Sequence, residues 1–65
     1  MTTVLNWIEI HDKTDYPKPG MQVIYITKNG RAEIGEVDGD ADQIFTSQDY
    51  DDLEKVKMWA EFKNP

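Results

Sequence analysis

Residues 21–37 read MQVIYITKNGRAEIGEV, two runs rich in β-branched residues that meet at Asn29-Gly30. Asn-Gly is the strongest short signal for a β-hairpin, because both residues tolerate positive φ. The sequence therefore predicts two antiparallel strands, over residues 21–28 and 31–37.

The register of this hairpin has two solutions. A two-residue turn places the odd-numbered apolar residues of the first strand beside Ala32 and Ile34. A three-residue loop with a bulge at Gly30 instead pairs those two residues with Ile24 and Ile26. The first solution is the default for Asn-Gly, whereas the second buries apolar residues more consistently. Both registers stay open on the sequence alone.

Three further segments are typical of strands: residues 4–10, 43–46 and 56–62 are short, apolar and rich in β-branched or aromatic residues. Residues 47–55 are ambiguous, because Ser47 suits a helix N-cap but a helix of two turns is marginal without packing. The predicted fold is mainly β, a single domain over residues 1–65. We expect a compact antiparallel sheet or small barrel of four or five strands, with at most one short helix near residues 48–55.

Large aromatic side chains are expected to fill the core of so small a domain. The aromatic residues assigned to the core are Trp7, Tyr25, Phe45, Trp59 and Phe62. Strict alternation over residues 56–62 nevertheless puts Trp59 on the polar face of the last strand. There it either packs over a second side of the sheet or anchors an interface. Tyr50, between acidic neighbours, is the aromatic residue expected to be exposed.

The charges of this chain are strongly segregated. Residues 32–54 contain nine of its 13 carboxylates and neither lysine nor arginine, so −9 in this segment and +3 in the remainder give the net charge of −6. Such a field repels nucleic acid and anionic lipid and attracts basic surfaces. The sequence therefore favours a protein partner with a basic face over direct nucleic-acid binding or membrane association.

Several classes of site are excluded or disfavoured by composition. There is no cysteine and only one histidine, His11, which excludes thiolate and multi-histidine metal centres in one chain. The acids at 38, 40 and 42 resemble the start of an EF-hand loop, but Gln43 stands where that loop requires glycine. No nucleophile motif or glycine-rich phosphate loop is present. We therefore expect no enzyme activity and no cofactor.

Short landmarks spread over most of the chain resemble one protein family. The landmarks are WIEI at residues 7–10, PKPG at 17–20, VIY at 23–25 and VKMWAEF at 56–62. Their order is similar to that of a small phage and prophage family without assigned function, domain of unknown function family 551. Its members usually read W-I-x-V, P-x-x-G, V-L-V-Y and a closing V-T-H-W-M-P-L-P. The resemblance implies a phage origin and a small β-rich domain. Because the sequence has neither a long apolar run nor the features of a signal peptide, we expect a location in the host cytoplasm.

The chain departs from that family pattern in two places. Its first loop is two residues longer, and Met58, Glu61 and Lys63 stand where the family has a histidine and two prolines. A role of the family's histidine is therefore absent from this chain, and the resemblance supplies no catalytic residue.

Charge segregation and phage resemblance together lead to one functional expectation. The protein is expected to be a non-enzymatic, acidic nucleic-acid mimic that inhibits a host nucleic-acid-binding protein, such as a CRISPR or restriction defence complex or a transcription factor. If Asp38, Asp40 and Asp42 lie on an extended segment, their side chains repeat about every 6.6 Å, like successive phosphates. The residues expected to bind the partner are Glu36, Asp38, Asp40, Asp42, Asp49, Tyr50, Asp51, Asp52 and Glu54.

An alternative reading gives these acids no partner. In that reading the protein is a structural or accessory β domain, whose acids only confer solubility. Any association would use an apolar patch around Trp59 and would be insensitive to salt.

Overall fold

In the computed structural model, which describes residues 5–62, six strands form one antiparallel sheet. The strands are β1 (Ile8–Glu9), β2 (Gln22–Thr27), β3 (Ala32–Asp38), β4 (Gln43–Phe45), β5 (Tyr50–Asp52) and β6 (Val56–Glu61). Their order across the sheet is β1-β6-β2-β3-β4-β5, so β2 to β5 form a meander and β6 returns to pair with β2. The mainly β prediction is confirmed, with one strand more than the upper number expected. Within residues 5–62 no helix has the length and hydropathy needed to cross a bilayer.

The central hairpin adopts the three-residue loop. The Thr27 amide donates to the Arg31 carbonyl at 2.8 Å, which leaves residues 28–30 as the loop. Gly30 has a φ of +90°, a conformation that favours glycine. Ile24 consequently pairs with Ile34, as the bulged register requires.

This register has a consequence that the sequence did not indicate. Ile24, Ile26 and Ile34 share one face of the sheet, but that face does not form the core. The core is formed from the opposite side of β2, by Val23 and Tyr25, which are fully buried, together with residues of β3, β4, β6 and a 3₁₀ turn at Leu53–Lys55. The core side chains are Val23, Tyr25, Val37, Ile44, Leu53, Val56 and Trp59. We call the opposite side of the sheet the outer face.

Trp59 belongs to the core, so its predicted place on a polar face is wrong. In the β2–β6 ladder, Thr27 pairs with Val56 but Ile26 pairs with Met58, so one extra residue is inserted in β6. This bulge reverses the alternation, and Val56 and Trp59 therefore face the core together. Trp59 is only 6% exposed, and its indole N–H donates to the Asp15 carbonyl at 2.7 Å.

Trp59 is thus in the core, but two of the other aromatic residues assigned to the core lie at the surface. Phe45 is 44% exposed because its neighbour Ile44 occupies the core side of the short strand β4, and successive side chains point to opposite faces. Trp7 is 41% exposed and precedes β1. The strand predicted over residues 4–10 is thus reduced to β1, and Val4 lies outside the described residues.

Residues 47–55 do not form the short helix considered for them. The Thr46 amide donates to the Asp49 carbonyl at 2.8 Å, closing a turn between β4 and β5. A 3₁₀ turn, Leu53–Lys55, then connects β5 to β6. Leu53 is buried in the core. A helix of two turns is marginal without tertiary packing. Pairing with β4 instead gives residues 50–52 backbone hydrogen bonds within the sheet.

Candidate protein-binding surface

Strand register brings four of the expected partner-binding residues onto the outer face. Asp38 pairs with Gln43, which pairs with Asp52, and the Gln43 amide donates to the Asp52 carboxylate at 2.9 Å. One step along the strands, Glu36 pairs with Phe45, which pairs with Tyr50. Paired residues of an antiparallel sheet project to the same side. The set of Glu36, Asp38, Phe45, Tyr50 and Asp52 is called the β3–β5 surface below.

Two aromatic rings stand at the centre of the β3–β5 surface. The ring centroids of Phe45 and Tyr50 are 5.9 Å apart with an interplanar angle of 52°, a favourable tilted arrangement. Tyr50 is 50% exposed, and Ile34, two residues before Glu36 on β3, is 51% exposed. Aromatic residues that are exposed beside other apolar side chains are typical anchors of protein interfaces.

Sequence reasoning missed Phe45 and Ile34 as surface residues. A signal for Phe45 was available, because Ile44 and Phe45 are adjacent in a strand and only one of them can face a one-sided core. For Ile34 the register of the hairpin decides the face, and that register was open.

Asp40 and Asp42 do not extend the acidic row in the expected geometry. The pairing of Asp38 with Gln43 leaves residues 39–42 as a turn, in which the Asp38 carboxylate accepts from the Asp40 amide at 2.9 Å and Asp42 has a φ of 49°. The three acids therefore do not form a regular extended array with a 6.6 Å repeat. Asp38 instead ends β3, and Asp40 and Asp42 lie in the turn that follows it.

Asp51 points to the core side of the sheet, away from the other expected binding residues. Its carboxylate accepts from the Tyr25 hydroxyl at 2.6 Å, and Nη2 of Arg31 lies 2.6 Å from both of its oxygens. Only 15% of its side chain is exposed. Asp51 therefore closes the curled sheet between β5 and β2 and is absent from the β3–β5 surface.

The same cluster shifts the pKa values of its acidic members. Burial raises the pKa of the Tyr25 phenol well above its usual value, and the hydrogen bond and charge of Asp51 add to this effect. For Asp51, burial alone would raise the pKa, but the hydrogen bonds from Tyr25 and Arg31 outweigh it and hold the pKa below its usual value. The pair is therefore neutral phenol and charged carboxylate at pH 7.

Most other carboxylates of residues 32–54 have no cationic partner. Within the described residues, Arg31 forms ion pairs with Glu33 and Asp51. Among the residues that the structure describes, no ion pair involves the remaining seven, which are Glu36, Asp38, Asp40, Asp42, Asp49, Asp52 and Glu54. Their net field is therefore not cancelled by contact with a base.

A basic cluster and the acidic turn of residues 39–42 lie at opposite ends of β3. Lys28, Arg31 and Lys55 line a pocket together with Asp51 at the hairpin end, where β3 begins. The turn of residues 39–42 lies at the other end, where β3 finishes at Asp38. A seven-residue strand spans about 20 Å, so the acidic turn and the basic cluster are separated in space. Lys13 lines a groove with Asp42, Asp52 and Glu54 at the acidic end, without forming an ion pair with them.

The described residues contain no group of three histidine, cysteine, aspartate or glutamate side chains arranged to hold a metal ion. The β3–β5 surface offers charge and apolar contact area.

The chain was compared with known proteins, and no family model, no curated protein and no solved structure matches it. The resemblance to domain of unknown function family 551 stays a prediction.

Proposed function

We propose that this chain is a non-enzymatic binding protein that occupies the basic, nucleic-acid-binding face of another protein. One observation carries the proposal: seven carboxylates without a cationic partner lie in the same part of the chain as the exposed Phe45–Tyr50 pair. Proteins that bind nucleic acid obtain much of their affinity from phosphate charge. Carboxylates compete for the same lysines and arginines, and arginine binds a carboxylate in bidentate geometry.

The mimicry we propose is one of charge and not of phosphate spacing. The turn of residues 39–42 replaces the extended row, so the acids present a concentrated negative end instead of a regular ladder. The resemblance to a phage family favours a host target. By this proposal the target is a defence complex of the CRISPR or restriction type, or a transcription factor, in the host cytoplasm.

Capture from host lysate tests the proposal. Tagged protein is incubated at low and at high salt, and the eluates are identified by mass spectrometry. The proposal expects a basic nucleic-acid-binding protein that is captured at low salt, is lost at high salt and is displaced by added DNA or RNA. Capture that is equal at both salt concentrations would contradict it.

A pair of matched variants assigns that capture to the acidic end. Asp40→Asn with Asp42→Asn removes two charges, and asparagine tolerates the positive φ at position 42. Glu9→Gln with Glu61→Gln removes two charges at the β1–β6 side of the sheet. Capture is expected to fall in the first variant and to persist in the second. Equal loss in both would assign the effect to net charge alone.

A second function has one observation in its favour. Ile34, Phe45 and Tyr50 are about half exposed, so an accessory domain that associates through apolar contact would have a surface to use. Trp59 is buried and does not serve that role. A partner captured equally at low and high salt, and lost when Phe45 is replaced, would support this second function.

A further inference from the structure

We propose that the occupant of the β3–β5 surface is a segment that carries apolar and basic side chains together on one face, and not a surface of basic charge alone. This inference rests on the proposed function and deepens it, because it states which chemistry the partner must bring. Ile34 is exposed on the same face and adjoins the β3–β5 surface.

The outer face is apolar over several neighbouring strands. Ile24 of β2, which is half-buried, lies beside the exposed Ile34 of β3, and the half-buried Ile26 lies beside Ala32 in the next row, whereas Ala60 on the other side of Ile24 is fully buried. This apolar area is continued towards β5 by the Phe45–Tyr50 ring pair, since Ile34 and Phe45 are diagonal neighbours across β3 and β4. Contiguous apolar surface on a small protein marks an interaction site more often than isolated apolar residues do.

Carboxylates border this apolar area on both sides of the Phe45–Tyr50 pair. Glu36 lies in the same row as Phe45 and Tyr50, and Asp38 and Asp52 lie in the row beyond. Asp49 precedes Tyr50 in the β4–β5 turn, and its carboxylate accepts the Tyr50 amide at 2.8 Å. A ligand on this surface therefore meets apolar groups and negative charge a few ångströms apart, which only a partner with both apolar and positive groups complements.

Charge complementarity also decides against other occupants. A second copy placed with the same surface facing would bring two sets of carboxylates together, and each chain carries a net charge of −6. Nucleic acid and anionic lipid are repelled by the same field. A purely apolar partner would bury Glu36 and Asp38 without compensation, which is costly.

Two peptides of equal charge test the inference on the whole protein. Each has about 12 residues and an extended length of about 40 Å, enough to cross the 34 Å long axis of the molecule. Both consist of arginine pairs that alternate with pairs of a second residue, which is leucine in one peptide and serine in the other, so that each face of the extended chain carries both residue types. Affinities are measured by titration, and the bound surface is mapped from amide chemical shifts of ¹⁵N-labelled protein.

The leucine peptide is expected to bind about tenfold more tightly than the serine peptide, from burial of a few apolar groups. The amide shifts should concentrate on β3, β4 and β5. Ile34→Ser with Phe45→Ser should abolish the difference between the peptides. Trp7→Ser with Ile8→Ser, which removes exposed apolar side chains near β1, should preserve it. Thermal unfolding of both variants confirms that each is folded.

Each contrary result overturns a different statement. If both peptides bind equally well, charge alone suffices, and the inference fails while the proposed function stands. If neither binds at low salt, both the inference and the electrostatic function fail. If the leucine peptide binds equally to the Ile34→Ser, Phe45→Ser variant, the apolar site lies elsewhere. Dimerisation of the free protein that is lost in that variant would identify a second copy as the occupant instead.

Discussion

The Tyr25 hydroxyl donates a hydrogen bond to Asp51 across 26 positions of sequence, at 2.6 Å. Tyr25 is at the centre of the core on β2, and Asp51 is on β5, three strands away in the sheet. This bond and the Arg31 contact hold the edge strand β5 against the rest of the molecule. The neighbours of Asp51 in β5, Tyr50 and Asp52, are thereby fixed on the outer face, where partner binding is proposed.

Replacing Asp51 by asparagine should destabilise the fold. Asparagine keeps an acceptor for Tyr25 but loses the charge that attracts Arg31, so we expect a loss of about 1–2 kcal/mol in the free energy of unfolding, measured in urea. Asp40→Asn removes the same charge from an exposed turn and should change stability by less than about 0.5 kcal/mol. Equal effects of the two substitutions would show that the Asp51 contacts contribute nothing.

Stability should also fall at acid pH because of Asp51. Its pKa is lower in the folded state than its ordinary value of 3.8, so its contribution is complete above that value and disappears as the pH falls through the folded pKa. The stability difference between wild type and Asp51→Asn should therefore be constant near neutral pH and shrink as the pH falls below 3.8. A difference that does not shrink below that pH would contradict the lowered pKa of Asp51.

Gly35→Ala should disrupt the pairing of β3 and β4. A Cβ at position 35 would lie 2.5 Å from the Phe45 carbonyl oxygen and 2.7 Å from Cγ2 of Ile44. A backbone oxygen in a ladder cannot move aside freely, so we expect a loss of about 1–3 kcal/mol in thermal or urea unfolding. Glu36→Ala, at the next and exposed position, is the control and should be close to neutral.

Trp59→Phe should cost more stability than Trp7→Phe. The first substitution leaves the Asp15 carbonyl without its indole donor and shortens a side chain packed in the core, for an expected loss of about 1–3 kcal/mol. Trp7 is exposed, so its replacement should be nearly neutral. The Trp7→Phe variant retains Trp59 as its one tryptophan, and its fluorescence should be blue-shifted until unfolding. Emission typical of exposed indole in the folded state would contradict the bulged register of β6.

The sequence indicated the strands because alternation and Asn-Gly are local signals, but it did not indicate the face of every strand. The bulge after Val56 depends on pairing with Thr27, a partner far away in sequence, so strict alternation placed Trp59 wrongly. The hairpin register likewise decided between two faces for Ile34. Side-chain facing is a property of the ladder, and a one-residue shift reverses it.

The sequence predicted the charge of the candidate site better than it predicted where the side chains lie. The acidity of residues 32–54 is evident in the sequence, and within residues 5–62 seven of these carboxylates form no ion pair. The internal role of Asp51 was not evident, because its partners Tyr25 and Arg31 come from a different hairpin. Nor was the exposure of Phe45, since an aromatic residue beside isoleucine was expected in the core.

Affinity for the captured basic protein as a function of salt tests the central claim most directly. If the carboxylates of the β3–β5 surface and the adjoining turn bind lysine and arginine, affinity should fall steeply with ionic strength. The slope should be shallower for Asp40→Asn with Asp42→Asn, and unchanged for Glu9→Gln with Glu61→Gln. An affinity that does not depend on salt, or that falls with the same slope in wild type and the first variant, would contradict binding through these acids.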